Sequence, residues 1–222
     1  MGVAALQKMS TRNLIIIAVV LLAILLGNYL INRPTGVPSS EIIDVMQDPI
    51  QTDLTLNEAQ PFTIDDGTTV WMLTPKAHYS IAGRVLHTKH YTFLDQDLVG
   101  KLAPADIGLG WGQLSDPAVD KSVDWYETGR FIQPVFDHLP VDETYFYTHF
   151  SHTHLIPADK NIKKALFALS KNQDVLLEGL LVYVDGPNGE KWHSSLTRTD
   201  MGNGACEIMY VQKVVVDGEE YE

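Results

Sequence analysis

The chain predicts an α+β fold, mainly β: one transmembrane helix, then a β-rich domain carrying a single packed amphipathic helix. Three observations predict it. Residues 14–31, LIIIAVVLLAILLGNYLI, hold 18 positions without a charge. Several segments after residue 60 are β-branched or alternate apolar and polar side chains at period two. One stretch after Pro157 repeats its apolar residues at helical spacing.

An 18-residue helix is about 27 Å long, close to the thickness of a hydrocarbon core of about 30 Å. The run shows no amphipathic stripe, so a soluble helix would leave apolar surface in water. A cleaved signal peptide shares the charged start, Lys8 and Arg12,. Its exit does not fit, because Leu25 precedes Gly27 by two and Asn28, Tyr29 and Leu30 follow. The expectation is an uncleaved anchor in the cytoplasmic membrane. Two basic side chains precede it and only Arg33 follows closely, so the positive-inside bias puts the N-terminus in the cytoplasm,. The rest then lies in the periplasm or outside the cell. No cysteine near the run supports a lipid anchor.

Charge narrows the partners. The 222 residues carry a net −12, and the part after residue 34 holds 13 basic and 28 acidic groups, −15 in all. Nucleic-acid binding depends on neutralising phosphates, and a polybasic grip on lipid needs the same sign. Both are excluded, and an envelope protein partner is expected instead. One cysteine excludes an internal disulfide or a multi-cysteine zinc site,.

The organisation reads as a tail and anchor over 1–33, a linker or arm over 34–60, and a domain over 61–222. Residues 33–40, RPTGVPSS, have linker composition,. Asp65-Asp66-Gly67 is a turn before the strand Thr68–Leu73,. Tyr79–Val85 alternates as a half-buried strand. Residues 104–118, rich in Gly, Pro and Asp, read as a long loop, and Tyr145–Phe150 as a strand. Asp159 caps a helix whose stripe is Ile162, Ala165, Leu166 and Leu169, with Lys160, Lys163 and Lys164 wet,. Val175–Val184 is apolar enough for a central strand, bent at Gly179. A turn over 185–189 leads to strands Trp192–Thr197 and Glu207–Val216. A bent strand and a meander suggest a small barrel of the OB kind.

Three segments, GLGWGQLSD (108–116), HFSHTHLIPAD (149–159) and SSLTRTDMGNGACE (194–207), resemble a family of bacterial proteins of unknown function. Its members carry an N-terminal anchor and one domain of about this size. The resemblance covers roughly residues 60–212. His149 and His154 match the family pattern, and His152 stands where the family has an amide. The resemblance implies an anchored domain and no activity.

Chemistry must therefore be read from the residues. His149, His152 and His154 are the densest candidate metal ligands, for a divalent transition ion. His152 and His154 share a strand face, and His149 joins them only through a bulge or turn. Asp200, Glu207 or Asp159 would complete the site. The competing reading is three histidines bonded to backbone. His87 and His90 are a second pair, with no ligand spacing. Cys206 is either a nucleophile paired to His154 and oriented by Asp200, or a small buried hydrophobe. Arg198 with Asp200 is either an anion fork or an internal pair fixing the glycine loop. Trp111 is a packed aromatic, or part of a ligand platform with Trp125 and Tyr126. Together these favour an anchored binding or scaffold module. The alternative is a tethered hydrolase using a histidine-bound metal or a Cys-His pair.

Overall fold

A computed structural model describes residues 11–92, 97, 99–197, 200 and 204–222. Lys8, Arg198, Gly202 and Asn203 lie outside the described residues. Contacts divide the chain into two units, Met1–Arg33 and Pro34–Glu222.

The described part of the first unit is one helix, α1 (Thr11–Asn32), 22 residues long and with no buried side chain. It is long and apolar enough to cross a membrane,. Asn28, its polar interruption, accepts hydrogen bonds from the Asn32 amide at 2.8 and 2.9 Å.

The second unit is mainly β. Its strands are β1 (Val37–Pro38), β2 (Ile50–Thr52), β3 (Phe62–Asp65), β4 (Val70–His90), β5 (Ala105–Gly110), β6 (Asp124–Thr128), β7 (Phe131–Val135), β8 (Phe150–Pro157), β9 (Asp174–Asp185), β10 (Lys191–His193), β11 (Glu207–Val216) and β12 (Glu219–Tyr221). The helices are α2 (Pro117–Asp120), α3 (Glu143–Thr148) and α4 (Lys160–Ala168).

Among the described residues, ten strands form one mixed sheet, and β6 and β7 form a separate hairpin. The sheet is not the simple closed barrel expected. Within it, β4, β5, β8, β11 and β9 pair in a cycle, antiparallel except for β8 with β11. The other strands extend from that cycle. β4 carries most of the bend: its 21 residues pair first with β9 and then with β5, with register shifts at Pro75/Ala77 and Val85/His87.

Apolar side chains from the five cyclic strands fill the interior, among them Ile81, Ile107, Leu155, Leu177 and Met209. Helix α4 adds Ile162, Ala165 and Leu166 to the same cluster, as its spacing predicts. Asp159 caps it, accepting from the Asn161 and Ile162 N–H groups,. Asn161 clamps the arm: its side chain bonds the Thr35 N–H and carbonyl and the Glu222 carbonyl. Beside it, β1 pairs with β12.

Two segments depart from expectation. Residues 104–118 contain β5, six residues all buried, rather than only a loop. Gly108 and Gly110 are there because neighbours press on them: a Cβ would meet Phe150 at 3.1 Å and Leu86 at 2.6 Å. Their loop-like composition thus reflects crowding. Tyr145–Phe150 is mostly helix α3, because Asp142 accepts from the Tyr145 N–H and caps it. Of Trp192–Thr197, only Trp192 and His193 are strand, within β10.

Val175–Val184 lies within β9, which pairs with β4 on one side and β11 on the other, as its apolar run implies. At Gly179 a Cβ would stand 2.0 Å from the Tyr210 carbonyl oxygen. The register shift lies opposite, between Val211 and Lys213 of β11. Gly179→Ala is expected to destabilise the fold by about 2–3 kcal/mol, the cost of overpacking against backbone. A denaturation midpoint equal to that of the unaltered protein would contradict this packing.

Candidate functional site

The site begins with strand parity. His152 and His154 on β8 point to one face, and both are buried,. Asp106 lies directly opposite His154 across the β5–β8 ladder. Cys206 stands immediately before β11, whose first residue Glu207 pairs with Thr153 of β8. The β6–β7 hairpin closes over them and supplies Arg130 from its turn.

Asp106 is the hub. Its carboxylate accepts from the Tyr91 hydroxyl at 2.8 Å and the Arg130 guanidinium at 3.1 Å. His154 Nδ1 lies 2.9 Å from it and His152 Nε2 3.8 Å. Asp106 is thus the group that faces His154 Nδ1 and His152 Nε2. Arg130 also grips Asp97 and the Ala103 carbonyl, and lies 4.0 Å over the Tyr91 ring. Burial pushes the Asp106 carboxyl up, but the two imidazoles and Arg130 outweigh it and hold it well below the usual carboxylate range,. Burial is the main cause that lowers His152, opposed by Asp106 and helped by the neighbouring His154 ring and the Arg130 guanidinium.

On its other side, His152 Nδ1 lies 3.3 Å from Cys206 Sγ. The Ile132 N–H also points at Nδ1, from 3.5 Å. Nδ1 is therefore the lone-pair atom, and Nε2 carries its proton toward Asp106. Burial, then the charges of Asp106 and Asp200, push the Cys206 thiol up to about 11. Without an ion it is a protonated thiol at neutral pH.

His152, His154 and Cys206 each offer a ligand atom within 4.8 Å of the others. Bonds of about 2.0–2.3 Å put ligand atoms of one ion about 3.3–3.9 Å apart, so binding requires about an ångström of side-chain rotation. Cys206 and His152 line a cavity of about 350 Å³ walled by Phe131, Pro134, Tyr147 and Phe150. A larger and more open groove of about 460 Å³ includes His78, Glu178 and Lys213. Its charges are engaged: His78 with Glu58, and Lys213 with Glu41 and Glu178.

The sequence-predicted residues divide. His149 does not join the group. It is the residue that ends α3, with non-extended backbone, and its ring stacks on Tyr145 at 3.7 Å. The strand starts one residue too late to carry it to the ligand face. Cys206 meets His152 in a hydrogen-bond contact, while His154 turns to Asp106. Asp200 accepts from Ser195 Oγ at 2.6 Å, so it orients no histidine there. Asp159 caps α4, and Glu207 is buried against Ser151. His87 pairs with Glu127, and His90 stacks on Phe167. Trp111 is buried and donates to Asp48 at 2.9 Å. It packs in a different apolar cluster from Trp125.

Asp106, Arg130 and Tyr91 were not among the sequence candidates. The available signal was an acid inside the apolar run Ala105–Gly110, hidden while that run read as loop. Comparison with the profiles of known protein families, with curated proteins and with solved structures finds no match to this chain.

The buried imidazoles set a pH dependence. Burial lowers both His152 and His90 below the ordinary value of about 6.5,. The unfolded chain therefore binds more protons just below that pH, and stability falls as pH falls through it. In chelator, the denaturation midpoint is expected to be lower at pH 5.5 than at 7.5. His90→Gln should shrink the difference, and an equal midpoint at both values would contradict the buried, neutral imidazoles.

Proposed function

We propose that this chain is a membrane-anchored, extracytoplasmic binding module whose ligand is a soft transition-metal ion held by His152, His154 and Cys206. One observation carries the reading: two buried imidazoles, both backed by Asp106, stand with the single thiol so that one ligand atom of each lies within 4.8 Å of the others. Thiolate and imidazole together favour zinc or copper over magnesium or calcium. Asp106 touches both rings and acts as their outer partner, the common support of metal-binding histidines. An ion would also displace the thiol proton that burial retains. Protein partners in the envelope fit the acidic surface, and the anchor charges favour a cytoplasmic N-terminus. The family resemblance in the His154 and Cys206 segments agrees with an anchored domain.

A second reading uses the same residues without an ion. Cys206, His152 and Asp106 line up as thiol, base and orienting carboxylate, facing the cavity. That arrangement suits acyl transfer. The raised thiol pKa weighs against it, since a nucleophile needs a thiolate fraction.

Elemental analysis of the untagged full-length protein in detergent decides between them. About one equivalent of zinc or copper is expected, lost in Cys206→Ser and in His154→Ala and kept in His149→Ala. A metal-free protein that takes up neither ion, with Cys206 alkylated by iodoacetamide faster than a free peptide thiol at pH 7, would favour the thiol reading.

A further inference from the structure

We infer that the centre is built for a singly charged soft ion, copper(I), in preference to a divalent one. This rests on the metal-binding reading above and adds the charge of the ion to it.

The argument is a charge count in a buried place. Asp106 and Arg130 form one ion pair, with side chains 1% and 12% exposed. That pair is neutral as a unit. The remaining ligands are two neutral imidazoles and one thiolate. Copper(I) with the thiolate leaves no net charge. A zinc(II) ion in the same set leaves one uncompensated positive charge, which burial penalises. Arg130 adds to that penalty, because it already spends the charge of Asp106. Among the described residues, Asp97, Asp200 and Glu207 are the other nearby acids, and Glu207 is bound to Ser151 rather than to the ligand group. Asp97 binds the outer side of Arg130 and Asp200 binds Ser195, and both are exposed enough for water to screen them,.

Coordination number points the same way. The described residues offer three soft or borderline donors, and a three-coordinate copper(I) ion needs no more. A divalent ion would need a further donor and a negative charge. The cavity beside Cys206 leaves room for one to enter, such as hydroxide or chloride. The structure thus makes a clear distinction: copper(I) with protein ligands alone, or a divalent ion with an added anion.

The test uses full-length protein in detergent, without oxygen. Zinc is loaded first, and one equivalent of copper(I) is then supplied from its bicinchoninate complex. Copper(I) is expected to displace zinc, and X-ray absorption should show one sulfur and two nitrogens with no fourth ligand. Arg130→Met frees the charge of Asp106, so the copper-to-zinc affinity ratio should fall about ten-fold or more. Arg130→Lys should stay near the unaltered ratio. Zinc retained against equimolar copper(I), a fourth light ligand on copper, or an unmoved ratio in folded Arg130→Met would each overturn the inference while leaving a metal site. Uptake of neither ion would overturn the metal reading itself. Should Arg130→Met not fold, displacement and coordination number in the unaltered chain decide alone.

Discussion

A carboxylate removed from water is the constraint around which this domain is arranged. Asp106 sits in a strand whose six residues are all buried. An ionised group there requires donors from several directions. Tyr91 comes from just after β4, Arg130 from the β6–β7 turn, and His154 from the neighbouring strand. Satisfying one charge therefore ties together elements distant in sequence. It also fixes the hairpin over the cavity and turns both imidazoles toward a common point.

What was legible from sequence depended on range. The helix α1, the helix α4 with its Asp159 cap, and the central strand containing Val175–Val184 are written in local periodicity or composition. Each can be read within a dozen neighbours. The loop reading of 104–118 failed because Gly108 and Gly110 have two physical uses. Glycine permits turns, but it also permits Phe150 and Leu86 to approach a strand closely,. Only the packing partner tells them apart, and that partner lies elsewhere in the chain. The strand expected at Tyr145–Phe150 failed on a smaller point. Aromatic side chains favour strands in general, and here the Asp142 cap outweighs them,.

The candidate site was half legible for the same reason. Two histidines at i and i+2 share a face by strand geometry alone, so His152 and His154 were identifiable. His149 was excluded by one backbone angle at the end of α3. That Cys206 meets His152 instead of His154 follows from the parallel pairing of β8 with β11, a relation of long sequence separation. Asp106 and Arg130 needed the full sheet order and the position of the hairpin. Once these are in place, the chemistry is conservative. Burial keeps the thiol protonated and His152 neutral, so without an ion the group holds its protons.

The arm that leads from the sheet toward α1 carries a mechanical implication. Any pull on α1 reaches the following unit through Pro34 and β1, whose two residues pair with the two β12 residues before Tyr221. Asn161 adds three hydrogen bonds at Thr35 and Glu222. These contacts are peripheral to the cyclic strands and to the histidine group. Under tension they would yield first, as a sacrificial clasp, and pay out slack while the centre keeps its geometry.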